Sequence, residues 1–338
     1  MIQLRSSFKL RPILPLSRSY FFNQKFVEIT NEENSFGNWR PLPSQPLTPR
    51  SLLKSLGELS KFKLSSLVVL TTMSGHIMAT SSVITSPGNL ALTLTGTALC
   101  SFAANSLNQW AEGPLDAQMP RTQNRPIPRL TLTPFAAFNW AVLAGTSGLS
   151  ILTFGVNPMA AGLAGLTIVL YAGVYTPLKR ISILNTWVGA LVGAIPPLIG
   201  WTAVSPHLVP AAFVLPAVLF CWQFPHFNAL SWNLRAEYAR AGYKMASVLN
   251  PKLNGRVALR YSLALIPITL AAATTLGLTT PLFALTGNLA NSPLIFQAIR
   301  FWRKPERKSA RGLFFASLLH LPVFMTLLFV HRRKHNKS

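Results

Sequence analysis

From residue 64 onward the chain repeats one pattern: an apolar run about as long as a bilayer is thick, then a short polar break. The runs predict nine helical spans, at 64–84, 90–108, 133–153, 158–175, 186–203, 209–226, 258–278, 281–299 and 313–330. Each lies near the roughly 20 residues that an α-helix needs to cross about 30 Å of hydrocarbon. The division between the seventh and eighth spans, at Thr279-Thr280-Pro281, is the least marked. One helix over 258–299 would overrun the membrane without a turn. The expected architecture is an all-α membrane bundle.

Charge placement supports that count. When the breaks are assigned alternately to the two faces, one face receives Arg121, Arg125, Arg129, Lys179, Arg180, Arg235, Arg240, Lys244, Lys252, Arg256, Arg260, Arg300, Arg303, Lys304, Arg307, Lys308 and Arg311, seventeen basic residues. The opposite breaks, at 85–89, 154–157, 204–208 and 279–280, carry none. A missed span would scramble this asymmetry, which follows the positive-inside rule. The tail runs against it, because Arg332, Arg333, Lys334 and Lys337 fall on the other face.

The chain ends read differently. Residues 1–27 hold Arg5, Lys9, Arg11, Arg18, Lys25 and four serines without an acid, the composition of a mitochondrial transit peptide. Residues 28–50 are polar and Pro-rich and read as a linker. The expected division is therefore 1–50 for transit peptide and linker, 51–331 for the transmembrane domain, and 332–338 for a basic tail. A transit peptide places the chain in the mitochondrial inner membrane, with the basic face toward the matrix.

Only 12% of residues are charged, against about 25% in soluble domains, and the mean hydropathy is +0.35. The formal charge of +23 would elsewhere point to nucleic acid. Here the cations sit in breaks between spans, so anionic headgroups and a phosphorylated substrate fit better, and no nucleic acid is expected. Cys100 and Cys221 both lie in apolar runs, without metal-ligand spacing, and read as packed side chains.

Between Lys61 and Arg303 the acids are Glu112, Asp116 and Glu237, all at or in the long breaks 109–132 and 227–257 of the basic face. A carboxylate kept beside a bilayer is a functional candidate by default. Asn108, Glu112 and Asp116 are spaced four apart, which stacks them on one helical face. Gly113-Pro114 is expected to end or kink that helix before Asp116. Arg121 and Arg125 follow, so carboxylates alternate with guanidiniums. Mg²⁺ takes one or two carboxylates, waters and phosphate oxygens, and Arg grips phosphate in a two-pronged fork. The alternative is that these acids merely salt-bridge the loop arginines. A second block, Tyr175-Thr176-Pro177-Leu178-Lys179-Arg180, closes the fourth span, and its cations also suit plain interface anchors. A third runs from Gln223 to Tyr238 and repeats the Asn/Glu spacing at Asn233 and Glu237.

The strings NQWAEGPLDAQMPRTQNRP, YTPLKRISILNTWVGALVGAIPPLIGWTA and CWQFPHFNALSWNLRAEY, in this order, resemble the UbiA superfamily of intramembrane prenyltransferases, within it the mitochondrial branch that farnesylates heme. The resemblance covers most of residues 60–330. It implies a nine-helix bundle whose central apolar cavity is capped by two motif-bearing loops. It also implies transfer of the farnesyl group of farnesyl diphosphate to the 2-vinyl group of heme b, giving heme O for cytochrome c oxidase. Asn108, Glu112, Asp116 and Glu237 would then hold Mg²⁺, with Asn233 completing the second motif. Lys179, Arg121, Arg125 and Arg180 would grip diphosphate, and Tyr175 would line the substrate site. Asp pairs are common in both motifs of the superfamily, so the Asn/Glu pair at 233 and 237 puts a second Mg²⁺ in doubt. Heme A synthase is the expected downstream partner, and self-association is a further expectation.

The reaction would pass through a farnesyl cation that the vinyl group attacks, with water supplying the new hydroxyl. Trp110, Tyr175, Trp222, Phe224 and Phe227 are candidates for cation–π support, or else interface-belt residues. Among the histidines, His207, His331 and His335 lie on the wrong face or in the tail. His76 and His320 read as helix-packing groups. His226 is the favoured substrate-side residue, either as a heme ligand or by orienting a propionate or water. Two other readings remain: a quinone-pathway aromatic polyprenyltransferase with the same metal site, and a transporter, which should instead carry polar groups at mid-membrane.

Overall fold

The computed structural model describes residues 48–79 and 86–333. The transit peptide, nearly all of the linker, the last five tail residues and the end of the first expected span lie outside the described residues.

Helices account for all the regular structure among the described residues. A short helix α1 (Pro49–Leu59) starts two residues inside the stretch assigned to the linker. It is followed by α2 (Phe62–Ala79), α3 (Pro87–Asp116), α4 (Pro134–Gly155) and α5 (Pro158–Ile168). A π-helical stretch, Val169–Tyr175, joins α5 to α6 (Thr176–Ile181). Then come α7 (Asn185–Ala194), α8 (Pro196–Thr202), a 3₁₀ turn at Pro210–Phe213 and α9 (Val214–Asn233). The remainder is α10 (Arg235–Arg240), α11 (Ala246–Leu249), α12 (Pro251–Ala273), α13 (Phe283–Arg303) and α14 (Arg307–Val330).

Local sequence sets the starts. Ser86-Pro87, Thr133-Pro134, Asn157-Pro158 and Asn250-Pro251 each put a capping side chain before a proline at the first helical position. Each cap accepts a backbone N–H three residues on. Proline there has no N–H to leave unsatisfied, and its φ already suits a helix.

Among the described residues, six helical stretches are long and apolar enough to cross a membrane: Pro87–Asp116, Pro134–Gly155, Pro158–Ile181, Pro210–Asn233, Pro251–Ala273 and Arg307–Val330. The other three expected spans coincide with α2, the α7–α8 pair and α13. The span expected at 186–203 is broken at Ile195-Pro196-Pro197, where successive prolines remove helical donors. The seventh and eighth spans are separate, joined by a turn with Gly277 at φ +58°. The break expected after Glu112 does not occur, and α3 runs on to Asp116. Pro114 lies in the last turn, where it costs a single intrahelical bond.

Packing forms two bodies that flank the cavity. On one side α9, α12, α13 and α14 enclose Leu219, Leu265, Phe283, Phe301 and Phe324. His320 Nε2–H donates to Asn291 Oδ1 at 2.8 Å, and Asn291 Nδ2 donates to Thr269 Oγ1 at 3.1 Å, so one polar string ties α14 to α13 and α12. On the other side α3 packs along α4, and α2 crosses α8 through facing glycines. A Cβ on Gly75 would collide with the Pro197 carbonyl, and one on Gly200 with the Thr72 carbonyl.

Candidate functional site

The C-terminal ends of α3, α6 and α9 converge with the α1–α2 corner. Because α3 stays helical, Asn108, Glu112 and Asp116 do share a face, and all three are buried, at 1%, 4% and 1% exposure. Each meets a cation. Lys179 Nζ lies 2.6 Å from Glu112 Oε1, Arg125 donates to Asp116 Oδ2 at 2.6 Å, and Lys61 Nζ donates to Asn108 Oδ1 at 2.7 Å. Asn108 in turn donates to Thr176 Oγ1 at 3.0 Å. Lys179 Nζ also sits over the Tyr175 ring at 4.5 Å and the Tyr243 ring at 5.8 Å.

The geometry of Lys179 and Tyr175 comes from the π-helical stretch. Its wider turn admits one extra residue, a feature frequent at functional sites. Thr176 Oγ1 donates back to the Tyr171 carbonyl at 2.8 Å, and Tyr171 and Tyr175 stack at 5.3 Å. The loop after α6 is pinned from the third block: Lys244 N–H donates to the Lys179 carbonyl at 2.7 Å, and Asn185 Nδ2 donates to the Lys244 carbonyl at 2.9 Å. Met119, Tyr238, Tyr243 and Met245 form a small buried cluster between the first and third blocks. Burial and the neighbouring Glu112 and Asp116 carboxylates push the Tyr243 phenol above its ordinary range.

Lys61 was not singled out in the sequence. It stands between α1 and α2 with φ 46°, a left-handed conformation uncommon for a side-chain-bearing residue. The corner is clamped over the end of α3. Gln109 Nε2 donates to the carbonyls of Glu58 and Leu59 at 2.9 and 2.6 Å, Trp140 Nε1 to Ser60 Oγ at 2.9 Å, and Arg129 pairs with Glu58 at 2.7 Å. Burial first, then the Arg125 and Lys179 charges, bring the Lys61 ammonium down from 10.5 to about 7. The folded protein therefore binds fewer protons than the unfolded chain between those values, and stability falls as pH drops from 10.5 toward 7. Lys61→Met is expected to flatten this slope and raise the melting temperature at pH 7, checked by thermal unfolding across pH.

The donor set suits a divalent cation held jointly with a ligand. Among the described residues, no three His, Cys, Asp or Glu side chains cluster closely enough to hold a metal alone. Yet Asp116 Oδ1, Asn233 Oδ1 and Glu237 Oε2 are buried oxygens without a hydrogen-bond partner. Such orphans are costly unless something external satisfies them. Arg121 and Arg180 are exposed and form none of these hydrogen bonds.

Beneath this polar cap lies a cavity of about 650 Å³ with largely apolar walls, within the range of small-molecule sites. Tyr175, Trp222, His226 and Phe227 line it. His226 is stacked between Trp222 at 4.7 Å and Phe314 at 4.9 Å, and its Nδ1 is 2.9 Å from Ser317 Oγ. That bond leaves Nε2 as the free ring nitrogen. Of the other proposed cation–π residues, Phe224 is fully buried against Tyr261 and Trp187, and Trp110 packs on the exposed Phe138. Of the other described histidines, His76 meets Asn89 at 3.2 Å, His331 ties down Thr280 and Thr286, and His207 is exposed.

The sequence profile of the UbiA prenyltransferase family matches residues 68–319. The chain is 45% identical over 312 residues to the human mitochondrial protoheme IX farnesyltransferase, covering 91% of this chain and 68% of that one. It is 46% identical over 277 residues to the Arabidopsis thaliana counterpart, covering 81% and 64%. Two solved structures share the fold. A digeranylgeranylglyceryl phosphate synthase superposes with a TM-score of 0.71 at 12% identity, over 82% of this chain and 98% of that one. A UbiA homolog from Archaeoglobus fulgidus bound to GPP and Mg²⁺ gives 0.60 at 11% identity, over 81% and 99%.

Proposed function

Because the chain belongs to the UbiA prenyltransferase family, we propose that it transfers the farnesyl group of farnesyl diphosphate to the 2-vinyl group of heme b, forming heme O. One observation carries the reading: acids, amides and cations converge in a buried cap directly over a large apolar cavity. A diphosphate belongs in the first environment, and a farnesyl chain with a porphyrin belongs in the second. The named relatives are all heme-farnesylating enzymes of mitochondria, so this chain is assigned to the mitochondrial inner membrane, with the cap toward the matrix on charge grounds. Heme O would pass to the enzyme that oxidises it to heme A.

Asn108, Glu112 and Asp116, with Asn233 and Glu237 across the cap, would hold Mg²⁺, which when bound supplies positive charge on the leaving diphosphate. Lys179, Arg125 and Lys61 already occupy the same pocket, each on one of the acids or on Asn108. These cations are placed to turn onto phosphate oxygens when the anion arrives, and to stabilise it as it departs. Arg121 and Arg180 stand at the rim, where they would draw the anion in. Tyr171 and Tyr175, stacked on each other where the cap meets the cavity, would line the path of the reacting allyl group. His226, held by Trp222, Phe314 and Ser317, presents Nε2 to the porphyrin as a ligand or propionate partner.

The two acid sites are unequal. Glu112 and Asp116 are buried and paired, whereas the second block has a single acid on a short helix beyond α9. Glu237→Gln is expected to lower turnover by about tenfold, with the larger loss reserved for Glu112, as read from steady-state rates over a Mg²⁺ titration. Purified protein in vesicles, offered farnesyl diphosphate with either heme b or 4-hydroxybenzoate, tests the function itself. Farnesylated heme is expected, and prenylation of the benzoate alone would overturn the reading in favour of the quinone-pathway class.

A further inference from the structure

One part of the cavity wall is built around a histidine. His226 on α9 is half-buried and lines the chamber. Its ring is stacked between Trp222, at 4.7 Å and 18°, and Phe314, at 4.9 Å and 29°. With both faces covered and Nδ1 turned to Ser317, the edge left for the cavity is the one that carries Nε2.

Ser317 on α14 is fully buried, and its hydroxyl has one proton to give. Oγ lies 2.6 Å from the Phe314 carbonyl oxygen and 2.9 Å from His226 Nδ1. A carbonyl can only accept, and two oxygens at that separation repel unless a proton lies between them. The hydroxyl proton therefore goes to Phe314, and the proton that joins the ring to Ser317 must sit on Nδ1. Serines in helices commonly return the hydroxyl to their own backbone, and that bond would be complete without His226. Here it leaves Oγ with lone pairs alone to offer the ring. Trp222 Nε1 donates to the Ser317 carbonyl at 2.8 Å, so the side chain that covers one face of the imidazole also anchors the serine.

A neutral imidazole carries a single N–H. With that proton on Nδ1, Nε2 is a bare lone pair and has nothing to donate to a carboxylate. A second proton would make an imidazolium, and among the described residues no Asp or Glu lines the chamber to balance it. The two roles open to His226 separate on this point. A propionate needs a proton on Nε2, and a metal ion needs its absence.

We propose that His226 holds heme b by its iron, through Nε2, and that Ser317 is the positioning residue that keeps the imidazole in the ligating tautomer and orientation. This rests on the heme-farnesylating reading above. A hydrogen bond from the far nitrogen of a metal-bound imidazole fixes the ring and raises its basicity toward the metal. An anchor at the iron also leaves the peripheral groups of the porphyrin, the reacting vinyl included, free of this residue.

The test compares heme b with iron-free protoporphyrin IX, which has the same vinyl and propionate groups and differs only at the centre. Each is titrated into the detergent-purified full chain without farnesyl diphosphate, heme b by absorption and protoporphyrin by fluorescence. Wild type should bind heme b with the spectrum of an imidazole-ligated iron. Ser317→Ala should weaken heme b binding by about tenfold, the low end for a group behind a metal ligand, and leave protoporphyrin binding unchanged. The iron–imidazole stretching frequency of the ferrous complex should fall in the same variant. His226→Ala should abolish the imidazole signature and weaken heme b binding at least as much, again sparing protoporphyrin, whose binding reports that each variant is folded. Equal losses for both porphyrins would overturn the iron anchor in favour of a propionate contact or of packing. Unchanged heme b affinity and stretching frequency in Ser317→Ala would overturn the positioning role. Imidazole-ligated heme b that wild type never farnesylates, once farnesyl diphosphate and Mg²⁺ are added, would overturn the underlying function while upholding the iron anchor.

Discussion

Glu112→Gln should lose both turnover and stability, and its two losses should separate on a second substitution. The carboxylate lies 2.6 Å from Lys179 with 5% of its side chain exposed, against 11% for the lysine. Removing one partner of a buried pair strands the other charge, at a cost of about 3–5 kcal/mol. The melting temperature of Glu112→Gln should therefore fall by many degrees. Prenyl transfer should fall further, by about 100- to 1000-fold, the range for losing a group aimed at developing charge. Adding Lys179→Met removes the stranded ammonium, so the double variant should regain most of the stability. It should regain none of the activity, because both a metal ligand and a phosphate-gripping cation are gone. Thermal unfolding and single-turnover rates on the four proteins of this cycle check it. Recovery of activity with stability would mean that the pair is structural.

The second large effect lies where no chemistry occurs. Gly75 on α2 and Gly200 on α8 face each other's backbones so closely that a Cβ at either would enter a carbonyl group across the crossing. Neither carbonyl can yield without moving its helix. Between membrane helices there is little hydrophobic drive, and such close backbone approach supplies the packing that holds them. Gly200→Val should push α2 from α8. Since α2 carries Ser65 and begins beside Lys61, the displacement should reach the cap. The expected outcome is failure to accumulate as folded protein, or a strongly lowered melting temperature with lost diphosphate binding. Gly57→Ala, at a position where an added Cβ meets nothing, is the control and should change little.

Much of the site was legible in the sequence because acids are so scarce there. Glu112, Asp116 and their basic followers stood out against an apolar background, and the four-residue spacing that relates them survives in α3. The helix end expected at Gly113-Pro114 does not occur, because a proline in a final turn has few bonds to break. Lys61 could not be recognised: one lysine before an apolar run looks like any interface anchor, and its role depends on a left-handed corner. The π-helical stretch that aims Tyr171, Tyr175 and Lys179 leaves no periodic signature in so uniformly apolar a segment. Arg121 and Arg180 show the converse. They have the right chemistry and neighbours in sequence, yet Arg121 in its turn and Arg180 on the outer face of α6 are both exposed.

The pairing of every cap acid or amide on α3 with a protein cation also explains a tension in composition. Under the proposed function the cap must survive without its metal diphosphate, and three carboxamide or carboxylate groups in a buried space would repel or go unsatisfied. Arg125 and Lys179 are internal counterions to Asp116 and Glu112, Lys61 satisfies the Asn108 amide, and under the proposed function the same cations would bind the anion.

The central claim is that this cap and cavity together make heme O. Its most direct measurement is the heme content of cells that lack their own heme O synthase, supplied with either the full chain or its Glu112→Gln variant. The account predicts heme O, and heme A derived from it, in extracts of cells carrying the wild-type chain and neither in those carrying the variant. Heme b alone in both, despite folded wild-type protein in the membrane, would contradict it.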